Sequence, residues 1–314
     1  MEDLLWTLRW EESLRVNLFW CVVLIVVLAG CTGDKGPAGP AGPPGDDGTD
    51  GTDWPGEAPA AYLAADGIAG GAAYSQWWTT EAGGSGTQPT TAAPADFYRC
   101  KACHGWDGLG NAGSYANRTG QSTGAANRPD VSWVNLRIAV QSESYQELFD
   151  LVRHVGVRGI DARDNSHPDY SSHLSDSQTW NIVKFMREEW VNPNLLYDLA
   201  VTGPAMYWDY SVDPPVLIKP TLTYTNIGAQ GNESNGQARF ASLCATCHGA
   251  DGTTLEIEGM SLGQFFRTKP NEAWIKAKFG VPGTGMVPGL VAATTDLQDL
   301  YKAMANAGTF PDLP

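Results

Sequence analysis

Two nine-residue stretches of the chain carry residues that could do chemistry: CKACHGWDG from Cys100 and CATCHGADG from Cys244. They share the frame Cys-x-x-Cys-His-Gly-x-Asp-Gly and take four of the six cysteines. Residues three and four apart lie side by side on a helical turn, so both thiols and the following imidazole share one face. That spacing is the attachment signature of c-type haem. Two thiols reach the two vinyl groups of one porphyrin as thioethers, and the histidine is held beneath the iron. Cys100, Cys103 and His104 would hold one such group; Cys244, Cys247 and His248 would hold a second. A zinc ion shared by two Cys-x-x-Cys knuckles needs a gap of about 15–20 residues, whereas these lie ~140 apart. A thioredoxin-like dithiol would need a βαβ context, which the sequence does not show.

The elements that must position these motifs also come twice. After the first motif, Ser144-x-x-Glu147 forms a capping box opening a helix with Tyr145, Leu148, Phe149 and Val152 on one face and Gly156 at its end. A loop follows. Then Ser175-x-x-Gln178 caps a helix carrying Trp180, Ile182, Val183, Met186 and Trp190. After the second motif, Pro270 opens a helix with Trp274 and Ala277 that stops at Gly280, and Thr295-x-x-Gln298 caps a helix with Leu297, Leu300, Tyr301 and Met304. Between the halves, Pro193, Pro204, Pro214, Pro215 and Pro220 forbid a long helix, and Thr221–Thr225 alternates as a short strand. Upstream of the first motif, residues 52–95 read mostly as linker. The run Gly70-Gly71-Ala72-Ala73-Tyr74 with Trp77 and Trp78 is the exception: it reads as a first helix set apart from Cys100 by an insertion.

Both halves resemble class I cytochrome c domains. In that family a Gly-x-x-x-aromatic helix leads into Cys-x-x-Cys-His, and a later loop presents methionine just before the C-terminal helix. The second half matches with Gly236 and Phe240, and with Met286 in Gly280-Val281-Pro282-Gly283-Thr284-Gly285-Met286-Val287-Pro288. The resemblance implies Met286 as sixth ligand opposite His248, with Met260 as the competitor. The first half departs from the pattern. No methionine lies between Met1 and Met186, and His167-Pro168 stands where a Met-Pro would. His167 is therefore the candidate opposite His104, with His173 as the alternative and His154 a polar-edge residue. Thioether ligation favours Fe(II) relative to imidazole, so the second site is expected at higher potential. Arg118, Arg128 and Arg137 read as surface residues or as partners for haem propionates, and Pro129 could offer a carbonyl to the His104 ring N–H.

The N-terminus gives a different kind of information. Leu18–Ala29 is apolar, too short to span a bilayer, and fits the core of a signal peptide. It runs into Leu28-Ala29-Gly30-Cys31, which resembles a bacterial lipobox and implies lipid on Cys31. Glu2, Asp3, Glu11 and Glu12 outnumber Arg9 and Arg15 ahead of it, which departs from a signal's positive start and places the functional start further downstream. From Gly33 to Gly51 glycine recurs every third residue, a collagen-like run that would act as a solvated stalk or a trimerising triple helix. The chain holds 35 acidic against 20 basic residues. That balance argues against nucleic acid and suits a basic docking partner.

The expected architecture is mainly α: two tandem cytochrome c-like helical domains joined by a short β or irregular linker. Residues 1–30 are a lipoprotein signal, 31–66 a collagen-like stalk and linker, 67–192 the first domain, 193–227 a Pro-rich connector and 228–314 the second domain. The expected cofactors are two covalently bound haem c groups, iron included. The expected role is electron transfer between redox proteins by a lipid-anchored protein outside the cytoplasm, at the outer membrane on its periplasmic or cell-surface side. A diheme peroxidase is the enzymatic alternative, because such enzymes also carry one motif per domain but need an openable sixth position. A surface protein built on the stalk is a third.

Overall fold

Small residues decide how the helices meet. In the structure, a computed structural model, residues 56–88, 99–117, 135–153, 167 and 169–314 are described. Helix α1 (Ala60–Leu63) leads into α2 (Gly67–Gln76), whose N-cap Asp66 accepts from the backbone N–H groups of Ile68 at 2.8 Å and Ala69 at 3.1 Å. The first motif lies on α3 (Cys100–His104) and is followed by α4 (Leu136–Ser142), α5 (Tyr145–Arg153) and α6 (Asp176–Lys184). Helix α2 crosses α6 at Gly70, where a Cβ would stand 1.9 Å from the Asn181 carbonyl oxygen. Only glycine permits that approach.

The second half repeats this contact. Helix α7 (Glu233–Leu243) runs into the short α8 (Ala245–His248), which carries the second motif. After α9 (Leu262–Thr268) and α10 (Pro270–Phe279) comes α11 (Thr294–Met304). Gly236 of α7 meets α11 with a virtual Cβ 1.9 Å from the Asp299 carbonyl oxygen. In both halves the aromatic residue four positions on is buried: Tyr74 in α2 and Phe240 in α7. Phe240 stacks edge-on against Phe310 at 4.7 Å. Removing water from a ring of that size is worth about 2–3 kcal/mol.

The capping boxes at Ser144–Glu147 and Ser175–Gln178 form as the sequence predicts. The Thr295–Gln298 box does not. Helix α11 starts at Thr294 after an uncapped Ala293, and Gln298 turns outward to donate to the Gln230 side-chain oxygen at 3.3 Å. A tertiary partner has taken the side chain that the local motif would have used. Helix α6 also ends differently from expectation. A π turn over Phe185–Glu189 closes it, and Trp190 lies beyond in extended backbone. Helices α4 and α9 lie outside the simpler motif–helix–loop–helix order read from the sequence.

The expected strand at Thr221–Thr225 is β4, antiparallel to β1 (Asp198–Thr202). Nested within that hairpin, β2 (Tyr207–Asp209) pairs with β3 (Val216–Ile218). The root of this ribbon packs on the body through a Tyr197–Tyr224 ring contact at 5.3 Å.

The described residues belong to one compact unit, Thr52–Pro314. Its two halves share a buried seam. The Phe279 ring of α10 lies over Gly71 of α2, where a Cβ would be 2.2 Å from it, and meets Phe185 edge-on at 5.1 Å. Beside it the buried Lys278 ammonium pairs with the Glu189 carboxylate at 2.8 Å. The expected signal segment, Cys31 and the Gly-X-Y run lie outside the described residues. Among the described residues no helix is long and apolar enough to cross a membrane.

Candidate functional site

The two motifs share one backbone. In each, a short helical turn carries the second cysteine and the histidine and ends at a glycine: Gly105 with φ 81° and ψ 170°, Gly249 with φ 80° and ψ 169°. An L side chain resists that positive φ, which explains the glycine after each histidine. The aspartate two residues on closes the turn in both copies. Asp107 accepts from the Leu109 N–H at 3.2 Å and the Ser114 N–H at 2.7 Å, and Asp251 from the Thr253 N–H at 3.2 Å and its hydroxyl at 2.7 Å. The frame Gly-x-Asp-Gly is therefore a turn that stops the helix just past the imidazole.

The first motif is clamped from several elements. The Tyr74 hydroxyl donates to the Gly105 carbonyl at 2.7 Å, and the Tyr115 hydroxyl to the Lys101 carbonyl at 2.9 Å. Arg99 Nε donates to the Ser75 carbonyl at 2.8 Å. Arg137 reaches the Asp107 carbonyl through Nε at 2.7 Å and the Val191 carbonyl through Nη2 at 2.6 Å. Arg137 thus ties the motif's turn to the chain leaving α6, so it is not the free surface residue of one sequence reading. The Trp190 ring packs so closely on Gly108 that a Cβ there would be 2.2 Å from it. Arg118, Arg128, Pro129 and His154 lie outside the described residues.

His167 comes to His104. Their ring centroids are 6.4 Å apart, with planes at 45°. A metal–imidazole bond of about 2.0–2.1 Å, plus ~1.1 Å from each nitrogen to its ring centre, places two imidazoles on opposite sides of one ion at about 6.3 Å. The observed spacing fits a single iron between them. His173, the alternative, stacks instead on Trp77 at 5.5 Å. His104 Nδ1 is buried without a hydrogen-bond partner. Burial, helped by the neighbouring His167, pushes the His104 pKa down to about 3, so the imidazole stays neutral and keeps a lone pair to give a metal. Burial also raises the Cys100 thiol to about 12 and the Cys244 thiol to about 11. A redox dithiol needs the opposite shift.

The second site is more open. His248 Nδ1 is again buried and unpartnered, and burial lowers its pKa. Cys247 is exposed, and so are Leu243, next to Cys244 in the chain, and Val287, next to Met286. Half-buried Met286 lies in the loop after α10, where its carbonyl accepts from the Val281 N–H at 2.9 Å. The same loop is held from the first half: Gly283 N–H donates to a Glu81 carboxylate oxygen at 3.2 Å. Met260, the competitor, closes a tight turn with Ile257 and packs on the core. The Glu81 contact and the Arg137 clamp had no signal in the sequence. The Gly70–Tyr74 echo of Gly236–Phe240 did.

The Cytochrome c family model matches residues 91–190, taking in the first motif, His167 and α6. No curated protein and no solved structure matches the chain. The chain thus carries a cytochrome c domain, the mark of an electron-transfer protein with covalently bound haem c. Helix α2, which precedes the matched residues, completes the helix crossing in the structure.

Proposed function

We propose that the chain is a two-haem c-type cytochrome that passes electrons between redox proteins outside the cytoplasm, held to a membrane through lipid on Cys31. The observation that carries this reading is the recurrence of one attachment frame with one backbone geometry, followed in the first half by His167 at coordination spacing from His104. The bound group supplies a one-electron Fe(II)/Fe(III) couple. Cys100 and Cys103 would hold it in the first half and Cys244 and Cys247 in the second, through thioethers. His104 and His248, whose pKa values burial lowers, would each give the iron a neutral imidazole. His167 and Met286 would be the second protein ligands, and two irons so held would leave no position for peroxide. These unlike second ligands would set a direction, from the His167 site to the Met286 site. The lipobox and the Gly-X-Y run support an anchored protein held off an outer membrane on its periplasmic or cell-surface side, and the acidic balance supports basic partners.

Electron paramagnetic resonance and optical spectra of the oxidised protein, with its intact mass, test the reading. Two haem additions are expected, with one bis-histidine and one histidine–methionine low-spin signal. A high-spin signal with peroxide turnover would establish the peroxidase instead, and a colourless protein would end both readings.

A further inference from the structure

Half of the large apolar side chains that the described residues leave exposed sit on one short arm. Val201, Tyr207, Tyr210, Val212 and Val216 belong to the β1–β4 ribbon, and Tyr210 at its tip is 77% exposed. Each strand there pairs with a single neighbour, so every strand keeps one unpaired edge among the described residues. The register sets Leu199 opposite Tyr224 and Val201 opposite Leu222, while Thr221, Thr223 and Thr225 alternate onto the other face. The β1–β4 pair therefore has an apolar face and a polar face. Tyr224, near the root, is packed against Tyr197, while Val201 further out is exposed; in the nested pair Val216 stands opposite Asp209, and Tyr207, Tyr210, Val212 and Val216 are exposed. An isolated two-stranded ribbon is marginal in water, and a long exposed apolar edge invites pairing.

We infer that this ribbon is a self-association surface, seated on the ribbons of two further copies of this chain. The chain's own N-terminal segment argues for that occupant. The Gly-X-Y run ends at Gly51, shortly before α1 begins at Ala60, and strict glycine at every third position is what the axis of a three-chain helix requires. Three copies joined there hold their ribbons at an effective concentration of about millimolar. At that concentration an interface well below the ~1,000 Å² expected of a free-standing complex is occupied. A lipid surface fits less well, because Asp209 and Asp213 lie among the apolar residues of the tip. The inference needs the run to form a triple helix but is independent of the haem reading.

Light scattering and sedimentation of the full, haem-loaded chain across a dilution series test it. The expected mass is that of three chains. Amide exchange over residues 198–225 should slow as the trimer forms. Changing three exposed side chains, Val201→Asp with Tyr210→Asp and Val216→Asp, leaves the body intact, checked by the haem spectrum. It should raise the concentration needed for the trimer at least 10-fold. Gly39→Ala with Gly42→Ala should abolish the trimer. A single-chain mass for the unaltered protein overturns the inference. So does a trimer that the glycine changes dissolve but the ribbon changes leave unaltered, which would assign assembly to the run alone. Ribbon-dependent binding to phosphatidylethanolamine–phosphatidylglycerol vesicles by a single-chain protein would also overturn it.

Discussion

The two motif turns share a backbone to within a degree or so at their capping glycines but live in different surroundings. In the first, Gly105, Trp106, Asp107 and Gly108 are all buried, beneath Trp190, Tyr115 and Arg137. In the second, Ala250 is exposed, Asp251 half-buried and Cys247 open to solvent. The local frame settles the shape of the turn. What packs over it settles how wet the site is, and with it how strongly the protein biases the charge of anything bound there. The proposed second ligands would sharpen the contrast: an imidazole, His167, in the closed site and a thioether, Met286, in the open one.

The largest test of this comparison removes one site and asks whether the other notices. Cys244→Ala with Cys247→Ala should lower the intact mass by one haem and leave the bis-histidine signal of the first site unchanged. Next come the ligands themselves. Met286→His should bring the second site's potential down by on the order of 100–300 mV, and His167→Met should raise the first by a similar amount. Redox titration of both variants would show whether ligand type or burial dominates the gap, since a pair of unmoved potentials would assign it to burial.

A smaller effect concerns the helix crossings. Gly236→Leu drives a side chain into the Asp299 carbonyl, and Gly70→Leu does the same at Asn181. Each should cost about 3 kcal/mol or more, read by denaturant unfolding. If the buried seam makes the halves one cooperative unit, both variants should unfold in a single transition rather than two.

The smallest effect is a pH dependence at Glu258 in the second half. Glu258 is paired with Lys269 and Lys276, and the hydrogen bond from Lys269 leads in holding its carboxyl below the usual value of 4.5. A depressed carboxyl pKa stabilises the fold above 4.5, and that contribution is lost as pH falls through the folded value. Because Glu258 and its leading partner Lys269 are both exposed, the amount is below about 1 kcal/mol. Glu258→Gln should flatten the acid limb of the stability curve by that amount, and an unchanged limb would show that the pairs contribute nothing.

Much of this was legible along the chain. The attachment frames, the box at Ser175–Gln178, the helix stop at Gly280, the strand at Thr221–Thr225 and the pairing of Gly236 with Phe240 all depend on neighbours within a few positions. Spacing records such interactions directly. His167 was named because His167-Pro168 stands where the class I cytochrome c pattern has a Met-Pro, but the sequence left His173 open beside it. The failures share one cause. Thr295 and Gln298 have the spacing of a capping box, yet Gln298 is drawn to Gln230, 68 positions away. Arg137 reads as a surface residue or a propionate partner, and nothing local signals that it holds two carbonyls from distant segments.

The order of residues by itself therefore determined which atoms could grip a porphyrin, and how the turn that carries them must bend. Helical periodicity and the steric demands of glycine act over three or four residues. Only the tertiary structure decided that His167 rather than His173 stands beside His104, that Glu81 of one half holds the Met286 loop of the other, and that one motif is enclosed while its twin is open. Those outcomes depend on long-range packing, where each side chain goes to the partner that the assembled core leaves within reach.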